Sequence, residues 1–334
     1  RLQFDNKLVE YAVAEGATLI EGIAVKDFEV SEDKVLVKLR NGDELSGEVI
    51  IGAGGSYDLV SKRIREIENM PMNWRDEDIA MALYFEVDVG REFMDEVYGE
   101  ERISMAHIKY DGLDGYGWSF SKDTVLNVGI GCPRNIIKKL KSEKKGWSER
   151  KYLLDYVETL KEQGWFPKDI EIDRKMISGA NIPVGMGMSC TVGDRMMVVG
   201  DAGGFVSPLS GEGLYYALDS GRLAAESLDV LFSEGNFKKQ DLMHYHRAWS
   251  SKWGDDLEWL KVGWHLLMVM PNSLIKYAAL DEETKEFFTH MFVGSMPAAK
   301  IKNKVLALIA KGVLKHEVLS LMTGNKQTVP ELVS

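Results

Sequence analysis

The residues best suited to chemistry lie in "VVGDAGGFVSPLSGEGLYYALDSG", 198–221. An apolar run, "RMMVV", precedes Gly200-Asp201-Ala202-Gly203-Gly204, so an acid follows the carboxyl end of a predicted strand. In α/β sheets that is where ligands bind. Glycines lack a Cβ, so backbone N–H groups here can approach a planar or phosphorylated ligand closely. A helix predicted from about Glu212 presents unpaired N–H groups and a partial positive charge, which favours a phosphate or an anionic ring. Asp201 can accept hydrogen bonds from sugar-type hydroxyls. A plain strand-to-helix connection, with glycines for packing and an acid as cap, would use the same five residues. The added "PLSGEG" and "SGRLAAESL" favour the ligand loop.

The rest of the chain must position that loop. Its 334 residues are 45% apolar and 28% charged, which suits two or three domains. A net charge of −11 argues against non-specific nucleic-acid binding. Two cysteines exclude a disulfide framework or a cysteine-rich metal cluster within the chain, and fit a reducing cytoplasm. The longest apolar runs, "VGWHLLMVM" (262–270) and "VLALIAKGVL" (305–314), fall short of the ~18 residues that span a bilayer, and read as buried helix or membrane-surface contact. Residues 4–15 place Phe4, Leu8, Tyr11, Ala12 and Ala14 at amphipathic-helix spacing, stopped by Gly16. "TLIEGIAVKDFEV" and "KVLVKLRNGDEL" read as strands with an Asn41-Gly42 hairpin turn, and "GEVIIGAGG" as a strand entering a glycine turn. Strand-like stretches at 79–89, 103–109 and 116–130 predict a largely antiparallel sheet. Helical patterns occupy 150–163, 212–232 and most of 240–320.

Other residues weigh less. Tyr116 and Trp118 alternate along a strand and so share a face. His244 and His246 point to different sides of a helix, and His107 and His265 stand alone, so no metal site is expected. Trp249, Trp253, Trp259 and Trp264 form a stripe suited to a helix core or a lipid entrance. The basic "KIKNKVLALIAKGVLK" could pack on the domain or touch anionic lipid.

"GDAGGFVSPLSGEGLYYALDSGRLAAE" closely resembles the second flavin motif of FAD-dependent enzymes with the para-hydroxybenzoate hydroxylase type of fold. "VIIGAGGSYDLVSKRI" resembles their strand and glycine turn, with Gly54 where Asp is commoner and Asp58 where Ser is commoner. "GYGWSFSKDTVLNVGIG" resembles the geranylgeranyl reductase signature through Tyr116, Trp118 and Phe120, with Leu113 and Ser121 replacing its two prolines. "RLQFDNKLVEYAVAEGATLIEGIAV" resembles the segment upstream.

The resemblance implies an α/β fold with an α+β insertion. Residues 1–70 and 186–235 would belong to an incomplete three-layer Rossmann-like FAD domain. Residues 71–185 would form an antiparallel-sheet substrate domain, and 236–334 a C-terminal helical region. No G-x-G-x-x-G opens a βαβ unit here, so either the natural protein is longer or this form binds FAD poorly or not at all. The resemblance assigns Arg1, Val25, Asp201, Gly211, Gly213 and Leu214 to FAD, and Tyr116 and Trp118 to catalysis on a sheet face roofing the flavin. The family's active-site cysteine would precede this segment, leaving Cys132 and Cys190 as ordinary small residues. The implied activity is hydride transfer from reduced flavin to an isoprenoid double bond of a prenylated lipid or prenyl diphosphate. NADPH or ferredoxin would donate electrons, and the protein would be cytoplasmic or peripheral at the membrane. A hydroxylase or electron-transfer dehydrogenase of the same fold, and a flavin-free lipid-binding module, stay open.

Overall fold

Three sheets and their covering helices make up most of the described part of this computed structural model, residues 2–185 and 187–269 with Lys285, Glu286, Thr289, His290 and Ala307. Helix α1 (Leu2–Ala14) ends before Gly16, whose φ of +101° suits glycine alone. Its apolar stripe is not packed among the described residues, and Phe4, Leu8 and Tyr11 are exposed. An antiparallel meander follows: β1 (Val25–Val30), β2 (Val35–Leu39) and β3 (Glu44–Gly47). The strand expected from Thr18 begins only at Val25. The Asn41-Gly42 turn forms as expected, with Gly42 at φ +95° and Leu39 N–H donating to the Asp43 carbonyl at 2.9 Å.

Strand β4 (Ile50–Gly52) enters a glycine turn and then α2 (Leu59–Ile67). Asp58 caps that helix: its carboxylate accepts from Ser61 N–H at 2.7 Å and from Gly54 N–H at 2.9 Å. The acid standing where serine is commoner therefore does a capping residue's work and also ties the turn to the helix. It leaves no space for a side chain at Gly52, where a Cβ would lie 2.2 Å from Asp58 Oδ1.

A five-stranded sheet begins with β5 (Ile79–Asp88) and, after α3 (Arg91–Tyr98), continues through β6 (Met105–Ile108), β7 (Tyr116–Ser121) and β8 (Val125–Pro133). Helices α4 (Arg134–Glu143) and α5 (Glu149–Glu162) follow, and β9 (Ser178–Pro183) completes the sheet. Its order is β6-β7-β8-β5-β9, antiparallel throughout. The stretch 116–130 is a hairpin of two strands. Period-two alternation on β8 sends Leu126, Val128, Ile130 and Cys132 into a core with Tyr98, Leu153, Tyr156 and Phe166. Asn127, Gly129 and Gly131 face the other way, into an open cleft.

The chain then returns through β10 (Val192–Gly193) and β11 (Met196–Val198), and β11 pairs in parallel with β4. Helices α6 (Leu214–Glu234), α7 (Lys239–Trp249) and α8 (Asp255–Val269) close the described structure. A π-helical turn, Ser250–Gly254, separates α7 from α8. Among the described residues no helix is long and apolar enough to cross a membrane. Arg1, the run 305–314 and the basic segment 300–315 lie outside the description, Ala307 apart.

The Asp58 cap yields a first expectation. Asp58→Ala should cost about 1–2 kcal/mol in urea unfolding. Asp58→Ser should recover most of it, and equal losses for both variants would contradict the capping role.

Candidate functional site

The parallel register Met196↔Ile50, Met197↔Ile51, Val198↔Gly52 sets two glycine turns side by side at the strands' carboxyl ends. The second turn, Gly200–Gly203, is a 3₁₀ turn between residues with tight neighbours. Gly200 N–H donates to Ser220 Oγ at 2.9 Å, and Gly204, at φ +76°, packs on Trp74, where a Cβ would lie 2.4 Å from the indole. A Cβ at Gly213 would lie 3.3 Å from Asp201 Oδ1 and 3.2 Å from Val206. The loop thus brings Asp201 and Gly213 together, and Gly211 turns beside them at φ +72°. Helix α6 opens at Leu214, two residues later than expected. Glu212 is its capping acid, accepting from Tyr215 N–H at 2.9 Å.

This loop forms one end of a cleft of about 2000 Å³. The cleft's floor is the open face of the five-stranded sheet, and residues 263–269 of α8 form part of the opposite wall. Along β7, Tyr116, Trp118 and Phe120 line the floor, with ring centroids 5.6 Å and 5.8 Å apart. The Tyr116 hydroxyl donates to the Ser210 carbonyl of the glycine loop, so the five-stranded sheet is tied directly to that loop. Burial pushes the Tyr116 phenol up to about 12, and it stays protonated over the physiological range. Trp118 lies over glycines: a Cβ at Gly129 would sit 2.2 Å from its Cζ2, and one at Gly131 3.4 Å from its Cζ3. Its indole N–H donates to Asn127 Oδ1 at 2.7 Å, Asn127 donates to Glu86 at 3.1 Å, and Glu86 holds Lys122.

A second constraint acts on the loop from behind. Asp219 of α6 is buried and accepts from Lys252 at 2.8 and 2.9 Å, from Trp253 Nε1 at 2.9 Å and from Arg222 at 3.0 Å. Lys252 and Trp253 are consecutive residues of the π-helical turn, whose wider winding lets neighbours reach one carboxylate. Trp253 packs on Phe205 of the loop at 4.8 Å. Burial pushes the Asp219 carboxyl up, but Lys252, Trp253 and Arg222 outweigh it and hold it below the usual range.

The structure brings Tyr116, Trp118 and Gly211 onto one cleft and places Asp201, Gly213 and Leu214 at its loop end. Val25 stands apart, an exposed residue opening β1, and Arg1 lies outside the described residues. Trp249 and Trp253 are core, Trp264 lines the cleft, and Trp259 is half-buried, so the tryptophan stripe divides between its two readings. Cys132 is buried with its thiol pushed up to about 12 by burial and by the Glu149 and Asp114 carboxylates. His107 bonds Tyr156 Oη at 2.6 Å and His246 bonds Thr191 Oγ1 at 3.0 Å. Sequence reasoning missed Glu86, Asn127 and Asp219. Asn127 was the most accessible of them: it stands two residues before Gly129 in "NVGIG", a lone polar side chain on the cleft face.

No protein-family profile matches the chain. Menaquinone reductase of Mycobacterium tuberculosis is 28% identical over 238 residues, 69% of this chain and 53% of that protein. Digeranylgeranylglycerophospholipid reductase of Methanoculleus marisnigri is 30% identical over 269 residues, covering 76% and 60%. The chain thus spans little more than half the length of these curated relatives. A geranylgeranyl bacteriochlorophyll reductase-like structure from Thermoplasma acidophilum superposes with a TM-score of 0.67 at 18% identity, over 96% of this chain and 74% of that one. The fold is that of the FAD-binding, Rossmann-like flavoproteins. Within that class, these likenesses support a place for the chain among the geranylgeranyl reductases.

Two outcomes are expected. Gly129→Ala should eject Trp118 from its seat, and the near-ultraviolet circular dichroism of the tryptophans should collapse toward that of Trp118→Ala. Asp219 has a depressed folded pKa, so its stabilisation is present above the ordinary carboxylate pKa and lost as pH falls through the folded value. The stability gap between the parent and Asp219→Asn should therefore be flat above about pH 5 and shrink below about pH 4. A gap independent of pH would contradict the ion-pair account.

Proposed function

We propose that the protein is a flavin-dependent reductase that saturates isoprenoid double bonds of a lipid. The observation that carries this reading is the join between cleft and loop. An aromatic floor wide enough for an extended chain ends, through Tyr116 and the Ser210 carbonyl, on a loop shaped for a flavin. The residues fit such a group: a side chain at Gly213 would press on Asp201 and Val206 at 3.3 and 3.2 Å, and Gly211 adopts a left-handed turn. Asp201 would bind the ribityl or pyrophosphate region, and the backbone at Gly211, Gly213 and Leu214 would face the ring, with the start of α6 stabilising negative charge there. FAD, when bound, supplies the hydride.

The chain's own residues then position and exclude. Tyr116 is a clamp more than a proton source, because its hydroxyl hydrogen is committed to the Ser210 carbonyl. Trp118, fixed by Asn127 and its glycine seat, presents a flat apolar surface on which an alkene can lie. Ala80, Ala82, Ala180 and Ile182 extend that surface and keep water away from it. An external electron donor and contact with a membrane surface, from which a prenylated lipid would be drawn, complete the reading.

Protein expressed from the complete gene should release FAD on denaturation. Its photoreduced flavin should reoxidise anaerobically when a geranylgeranylated lipid is added. Reoxidation that requires oxygen would point to a hydroxylase, and failure to take up flavin from excess FAD would overturn the reductase reading.

A further inference from the structure

Charge on the cleft walls narrows the substrate. Among the described residues lining it, two are lysines, Lys122 and Lys261, and six are carboxylates: Asp5, Glu77, Glu86, Asp114, Asp123 and Glu212. Neither lysine is available to an incoming anion. Lys122 is held by Glu86, and Lys261 lies 3.0 Å from buried Asp78. Lys109, near the end of α8, is likewise engaged, 2.9 Å from Asp114 and donating to the Met268 carbonyl at 2.8 Å. Arg91 and Arg102, beside the β7–β8 hairpin, are bound to Asp123 and Asp95. Lys122 holds the Glu86 carboxyl below its usual range, with burial opposing it and Asn127 adding to it, so that pair is ionised at neutral pH.

Resting on the isoprenoid reading of the cleft, we propose that its substrate carries an uncharged head group, such as a quinone or a glycerol ether, and not a phosphate. The aromatic floor gives this a direction. From Tyr116 at the loop to Lys122, just past the end of β7, is six residue steps, about 20 Å at strand rise, and alternate positions offer Tyr116, Trp118 and Phe120. A prenyl chain of several units can follow that track, its reacting bond at the Tyr116 end and its head at the hairpin. There the mutually paired Asn127, Glu86 and Lys122 present a polar end to the cleft without a net positive charge. A phosphate at the same place would have to strip Lys122 from Glu86 and then face a wall on which carboxylates outnumber cations.

The test is a binding titration that does not depend on turnover. Tryptophan fluorescence, sensitive to Trp118 and Trp264 on the cleft, is followed while geranylgeraniol or geranylgeranyl monophosphate is added from the same neutral detergent micelle. The alcohol should bind about tenfold or more tightly than the phosphate. Equal or tighter binding of the phosphate would overturn the proposal while leaving the isoprenoid cleft intact. Saturable binding of neither would remove the cleft reading and this proposal with it. Glu86→Gln, a change at an exposed position, releases Lys122. It should raise phosphate affinity several-fold in a salt-sensitive manner, relative to the alcohol. No change in that ratio would contradict the part given to the Glu86–Lys122 pair.

Discussion

Three residue pairs of parallel ladder, between β4 and β11, set the rest of the architecture. The two strands are separated by more than 140 residues of chain, and their pairing is what gives the two glycine turns a common edge. An antiparallel arrangement would send the turns to opposite ends of the sheet. A register shift would flip Met197 and its neighbours out of the core. Because β4 and β11 are short, their alignment depends on what surrounds them: Asp58 clasping the first turn, and Tyr245 of α7 donating to the Val198 carbonyl at 2.8 Å behind the second.

The cleft inherits its position from that edge. The inserted antiparallel sheet is a separate packing unit with its own core. It reaches the two glycine turns at few points, of which Tyr116 to the Ser210 carbonyl at the second and Ser56 of the first to the Asn181 carbonyl are two. Both are hydrogen bonds to backbone carbonyls, which fix position while asking little of the partner's side chain. The loop is therefore held from the cleft side by a phenol and from the opposite side by Phe205 packing on Trp249 and Trp253. Asp219 organises that second support through a helical irregularity of no evident local advantage.

Much of this was legible in the sequence where local rules govern. Asn41-Gly42, Gly16 and the period-two run of β8 dictated their own conformations. The glycine loop announced itself by composition, and the alternation of Tyr116, Trp118 and Phe120 predicted a shared face. Illegible were the features that depend on residues distant in sequence. Glu86 joins Lys122 only through the pairing of β5 with β8. Asp219 meets Lys252 and Trp253 only because a π turn rotates two adjacent residues toward one helix. The strand from Thr18 was overread because "TLIEGIAV" has strand composition but its first seven residues lie outside the ladder. At Asp58, where serine is commoner in the motif the turn resembles, a carboxylate serves the capping geometry as well as a hydroxyl does.

The seat of Trp118 also binds three positions into one evolutionary unit. While the indole lies across β8, positions 129 and 131 are closed to larger residues, since Gly129 has no space for even a methyl group and Gly131 only a marginal one. Should a lineage replace Trp118 by a small residue, the constraint at Gly131 would lapse, while Gly129 would still face the Leu83 carbonyl, 2.8 Å from a Cβ there. Drift at one aromatic position would thereby open Gly131 to variation before Gly129. The width of the cleft can be retuned without touching the glycine loop at its end.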